Sequence, residues 1–191
     1  MKKRILATLV SVMMILAVVG CGKKEAALEI EEGASVPQEI VQMVNTDLPS
    51  ISAERDEAVS IYNKYFQEGA ELDSETWRAQ LEDEALVKYD AYLVKLEGLM
   101  YTNSEVVNLK NLFVKSANSQ REAISYVVEA VRDIDTAKLD LAQQSIDDSK
   151  TYMSMYEDEL KSLCEKYNIE VVGSFGSYDA SATDASASDA E

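Results

Sequence analysis

The sequence predicts an all-α protein, an elongated up-down-up-down antiparallel four-helix bundle whose first helix is kinked or split near Pro49. Three observations carry this. Between residues 37 and 172 apolar residues recur at intervals of three and four, the period of one helix face, and no stretch shows the alternation of a half-buried strand. The apolar phase breaks where capping and turn residues cluster, which divides the segment into four helices. The connections are about five residues or fewer, so consecutive helices must run mostly antiparallel.

The first helix carries Ile51, Ala58, Tyr62 and Tyr65 on one side, and its phase extends back through Leu48, Val44 and Ile40 across Pro49. Proline there removes a donor and disfavours helix at Leu48, which predicts the kink. The second, entered from "EGAELDS", follows Trp77, Leu81, Ala85, Tyr89, Leu93, Leu96 and Met100; Gly69 can end the helix before it, and Asp73 or Ser74 can cap its start. In "YTNSE", Thr102 and Glu105 have the spacing of a capping box at the head of the third helix. Its seam is Val106, Leu109, Phe113, Ala117, Gln120, Ile124, Val127, Val131 and Ile134. Continuing that phase would turn Leu141, Ser145 and Asp148 inward, whereas the apolar set restarts at Leu139, so a turn falls between, with Asp133, Asp135 and Thr136 available as caps. The fourth helix follows Leu139, Ala142, Ile146, Met153, Tyr156, Leu160, Leu163 and Tyr167, with Ser149 as its only polar seam member. At 1.5 Å per residue the later three helices are each about 40 to 45 Å long.

Outside the bundle the chain changes character. Residues 1–20 have the layout of a signal peptide: Lys2, Lys3 and Arg4, an apolar run, and Gly20 before Cys21. Val18-Val19-Gly20-Cys21 resembles the lipobox of bacterial lipoproteins. The resemblance implies cleavage between Gly20 and Cys21, a diacylglycerol on the cysteine sulfur, and a mature protein held at the cell membrane by its lipid and acyl chains such as palmitate, facing outside the cytoplasm. Residues 21–36 then read as the lipidated cysteine and a flexible tether able to span roughly 50 Å when extended. The Ser/Ala/Asp-rich tail, residues 173–191, has too little apolar content to offset its ordering entropy and is expected to be disordered.

Composition narrows the function classes. The chain has 18 basic and 35 acidic residues; loss of residues 1–20 leaves 15 basic residues and a net charge of about −20. Without clustered lysine and arginine, nucleic acid is not an expected partner. There is no histidine. That rules out Ser-His and Cys-His pairs, an HExxH zinc helix and the Glu-x-x-His halves of a di-iron bundle. No Ser-x-x-Lys, Gly-x-Ser-x-Gly or phosphate-loop motif occurs, so no catalytic residues are assigned and no enzyme activity is expected. The acidic runs Glu82-Asp83-Glu84, Asp147-Asp148 and Glu157-Asp158-Glu159 are read as solvated helix faces, since adjacent helical positions diverge. "DIDTAKLD" lacks the glycine and the third early ligand of a calcium loop. No metal or cofactor is therefore expected.

Ten tyrosines include the pairs Tyr62 and Tyr65, Tyr89 and Tyr92, and Tyr152 and Tyr156; their seam positions favour core packing over a glycan-binding surface. Cys164, left unpaired if Cys21 is lipidated, reads as a half-buried hydrophobe. With its lipobox and the pattern "YEDELKSLCEKYNIEV", the chain resembles small helical surface lipoproteins of Gram-positive-type bacteria, some of which are called cell-wall-binding proteins. Two functions follow as expectations. One is a non-catalytic bundle that acts by contact with an envelope protein or cell-wall polymer. The other is a solute- or cation-binding module with a ligand held between the helices, for which Gln120 and Ser149 are the polar seam residues.

Overall fold

A computed structural model describes residues 34–64 and 73–169. Helices α1 (Val36–Gln42) and α2 (Leu48–Lys64) are joined by a π-helical segment, Met43–Asp47, into one rod. Helices α3 (Ser74–Gln80) and α4 (Leu86–Gly98) are joined likewise through Leu81–Ala85. The third rod is α5 (Ser104–Asp133) and the fourth α6 (Ala137–Tyr167). The described residues contain no strand. Four packed rods in up-down-up-down order form the all-α bundle that the periodicity predicts.

Cross-rod contacts fix the antiparallel order. Lys88 reaches Glu57 and Lys95 reaches Glu54 between the first two rods. Arg121 bonds Asp90 at 2.8 Å between the second and third, while Lys138 bonds Glu129 and Lys166 bonds Glu105, both at 2.6 Å, between the third and fourth. Inside lies one continuous apolar core, with Trp77, Tyr62, Tyr89, Tyr92, Leu109, Ile124 and Leu160 almost fully buried. Tyr62 packs against Trp77 with ring centroids 6.0 Å apart, and Phe113 against Tyr156 at 5.1 Å.

The interruption expected at Pro49 takes the form of the π turn just before it. A straight α-helix would press the proline ring against the carbonyl of Asn45. The wider turn closes instead from Leu48 N–H to Met43 O, and Leu48 keeps helical angles (φ −61°, ψ −46°) rather than the extended ones a following proline favours. Met43, not Val44, is thereby fully buried. Asp47 is fixed by Gln42 Nε2 and Tyr101 Oη, each at 2.8 Å.

No proline marks the second π segment. Its cause is spacing: Trp77, Leu81, Ala85 and Tyr89 are all essentially inaccessible, yet steps of four advance an α-helix by about 40° beyond a full turn each time. One wide turn cancels the drift.

The helix ends correct three expectations and select among the candidate caps. Met100 lies past the end of α4 and is 77% exposed. Ile134 is not a seam residue but the left-handed cap of α5, at φ 54°, and is 79% exposed. Of the three candidate caps for α6, Asp135 does the capping, accepting from Ala137 N at 3.0 Å. Thr102 and Glu105 do not form a capping box: Thr102 donates from N and Oγ1 to Glu39, and Glu105 faces Lys166 and Tyr167 across the bundle. At the start of α3, Asp73 is the cap, accepting from Glu75 N and Thr76 N, both at 3.0 Å. Gly69 and Tyr65 lie outside the described residues.

Candidate functional site

Halfway along the rods the apolar core is crossed by a polar layer to which every rod contributes. Gln120 and Ser149, the seam polars of α5 and α6, meet here, with Gln120 Nε2 donating to Ser149 Oγ at 3.0 Å. Tyr89 Oη, on α4, donates to Gln120 Oε1 at 2.7 Å. Ser116 Oγ lies 2.9 Å from both Ser149 O and Ser149 Oγ. One proton arrangement satisfies the chain: Ser116 donates to the Ser149 carbonyl, Ser149 Oγ donates to Ser116, and Gln120 bridges to the phenol.

The first rod adds Arg55, whose side chain is only 6% exposed and which bonds the half-exposed Asp56 from Nη2 at 2.9 Å. Arg55, Tyr89, Tyr92, Phe113, Ser116, Gln120 and Met153 surround a small crevice. It leaves no room for a water molecule. Burial works against the Arg55 charge, but Tyr92 and Asp56 outweigh it and raise the pKa above the ordinary arginine value. Burial pushes Tyr92 up to about 12 and Tyr89 well above the usual tyrosine value, so both phenols stay protonated at neutral pH, Tyr89 as a donor to Gln120 and Tyr92 as an acceptor from Arg55. Their rings meet edge to face at 5.5 Å.

No family model, curated protein or solved structure matches the chain. Its chemistry therefore has to be read from the side chains. Ser116 and Ser149 lack a basic partner that could activate either hydroxyl; each serves the other. Burial raises the thiol pKa of half-buried Cys164, which keeps it un-ionised. Among the described residues no three His, Cys, Asp or Glu side chains are grouped to hold a metal ion, and no helix is long and apolar enough to cross a membrane. The acidic run Glu82-Asp83-Glu84 lies on an exposed face, with Glu82 paired to Arg78. Tyr62, Tyr89, Tyr92 and Tyr156 are core residues, while Tyr152 is half-buried under Lys115 Nζ, which lies 5.5 Å from its ring.

Gly20 and Cys21, the predicted cleavage and lipidation positions, fall outside the described residues, as do most of the tether and the tail from 173. Two members of the polar layer were missed by sequence reading. Arg55 sits on the spacing Ile51, Arg55, Ala58, Tyr62, so an arginine on an apolar seam was the available signal. Ser116 flanks the seam residue Ala117, and small residues beside a seam are where two helices approach closely.

Proposed function

We propose that the protein is a membrane-anchored extracytoplasmic lipoprotein whose helical bundle is non-catalytic and acts by contact with an envelope protein or cell-wall polymer. The observation that carries this reading is the self-sufficiency of the polar layer. Its donors and acceptors are spent on one another in a crevice that cannot hold a water molecule, so this layer offers a ligand neither room nor idle hydrogen-bonding groups. A polar layer of this kind sets helix register. Recognition then falls to the outer faces, which carry most of the charge.

One observation favours the second reading, a module holding a small solute between helices. Arg55 brings a buried positive charge to the crevice wall beside the phenols of Tyr89 and Tyr92. A small carboxylate that displaced Asp56 would find a guanidinium and a phenol together.

Two experiments test these readings. Cys21→Ser should release the protein from the membrane or leave its precursor uncleaved; a variant that is still processed and membrane-bound refutes the anchor. Crosslinking on intact cells should capture an envelope component, and capture should fail after charge reversals on exposed faces of the second or third rod. If Gln120→Leu or Arg55→Met abolishes the cellular phenotype in a folded protein while the surface reversals do nothing, the solute-binding reading replaces contact.

A further inference from the structure

Helix α4 carries two seams, and the bundle fills only one. Tyr89, Tyr92, Leu93 and Leu96 are buried. On the outer side Val87, Ala91, Val94 and Gly98 follow one another at intervals of four, three and four, the repeat of a coiled-coil stripe. Val87 is 61% and Val94 72% exposed, Ala91 and Gly98 are exposed, and a methyl group placed at Gly98 would meet no atom within 4 Å.

The charges beside this stripe are sorted. With Val87 and Val94 at d and Ala91 and Gly98 at a, the e positions within the exposed stretch are Lys88 and Lys95, and the g positions are Asp90 and Glu97. One flank is basic and the other acidic. In a parallel pair of helices each g residue faces the following e residue of the other chain. Asp90 then meets the partner's Lys95, the contact occurring twice by symmetry. An antiparallel pair would set lysine against lysine and acid against acid.

We propose that the outer face of α4 from Val87 to Gly98 is a self-association seam, and that its occupant is the same face of a second copy in parallel orientation. Toward the N-terminus the π turn at Leu81–Ala85 shifts the phase and so ends the seam there. The neighbouring rods hold the flanking side chains in place: Lys88 and Lys95 lean on Glu57 and Glu54, and Asp90 on Arg121. A second copy adds to these pairs without dismantling them. The apolar stripe is short, so association is weak in dilute solution and becomes substantial where copies are concentrated. The inference goes beyond the contact reading and rests on the stripe and its charges alone; copies held by lipid in one membrane would, in addition, already share the parallel orientation.

The test is oxidative crosslinking in cells producing the full-length chain with Cys164→Ala, with membrane and soluble fractions read separately so that a failed anchor and a failed seam are told apart. The parent variant shows what Cys21 contributes. Single changes Val87→Cys and Val94→Cys should each give self-linked dimers about tenfold faster than Met155→Cys, an exposed control on α6. Lys95→Glu should slow the Val87→Cys link, and adding Asp90→Lys should restore it. Rates equal to those of Met155→Cys overturn the proposal. So does linkage that appears only when Val87→Cys and Gly98→Cys chains are mixed, which would mark an antiparallel contact.

Discussion

Glu39, in the first turn of α1, accepts a hydrogen bond from Thr102 N at 2.7 Å, across 63 positions of sequence. Its second oxygen accepts from Asn103 N at 3.0 Å, and Thr102 Oγ1 also donates to the first. A carboxylate that is 1% exposed thus satisfies the backbone entering α5, whose N-terminus also favours negative charge.

Replacing Glu39 should therefore cost stability in a pH-dependent way. Burial alone would raise its pKa, but the bonds from Thr102 and Asn103 more than offset this and hold it below the ordinary value of 4.5. A depressed folded-state value means the contribution is complete above the unfolded-state value and is lost as pH falls through the folded one. Glu39→Gln should lower unfolding free energy by about 1–3 kcal/mol at pH 7. Urea titrations at pH 7 and in acid should show the difference between variant and parent shrinking below pH 4.5.

The polar layer should behave as a unit. Tyr89→Phe orphans Gln120 Oε1, and Ser149→Ala orphans Gln120 Nε2 while Ser116 keeps its bond to the carbonyl of residue 149; each should cost about 1–3 kcal/mol. Since both changes act through Gln120, the double variant should lose less than the sum of the two, by at least about 0.5 kcal/mol. Thermal and urea unfolding followed by circular dichroism give the cycle, and strict additivity would show that the layer is not coupled.

Ile134 holds a left-handed conformation that costs a β-branched residue roughly 1–2 kcal/mol, and its exposed side chain returns almost nothing through packing. Ile134→Gly should raise stability by about 0.5–1 kcal/mol despite the added freedom of the unfolded chain. A lower melting temperature in this variant would show that Ile134 makes a stabilising contact.

Arg55 is expected to be replaceable as a structural element. Removing a buried charge in favour of an apolar chain of similar length is often neutral or stabilising; Asp56 is half-exposed and can turn to water, while the Tyr92 hydroxyl, which Arg55 also bonds, loses that donor. Arg55→Met should change unfolding free energy by less than about 1.5 kcal/mol, whereas Arg55→Ala, which also leaves a cavity, should cost more. Denaturant midpoints of the two variants distinguish the cases.

The helices were legible in the sequence because burial imposes a period, and that period survives local irregularity. Leu109, Phe113, Ala117, Ile124 and Val127 all point inward as their spacing requires. The failures fall where a residue's partner is distant in sequence. Thr102 and Glu105 have capping-box spacing, but each found a stronger partner on another rod, which no local pattern encodes. Met100 and Ile134 continued an apolar phase past the point where the backbone had already turned. The π segment at Leu81–Ala85 was written in the four-residue spacing of Trp77, Leu81, Ala85 and Tyr89, but only if the accumulating drift is computed. In the polar layer Gln120 and Ser149 stood out as polar interruptions of their seams. Arg55 was overlooked because arginine is normally assigned to a surface.

Both ends of the described chain lie beside the start of α5. Asn103 Nδ2 donates to Ala34 O at 2.9 Å, and Lys166 and Tyr167 close on Glu105. This has a mechanical consequence. Tension applied at residue 34 enters the bundle at the Ala34–Asn103 bond and next at the Glu39 clasp on Thr102 and Asn103, so it loads a few polar contacts in sequence instead of shearing the whole core at once. The first rod would peel before the α5–α6 hairpin felt the load, and Glu39 would set the force at which peeling starts.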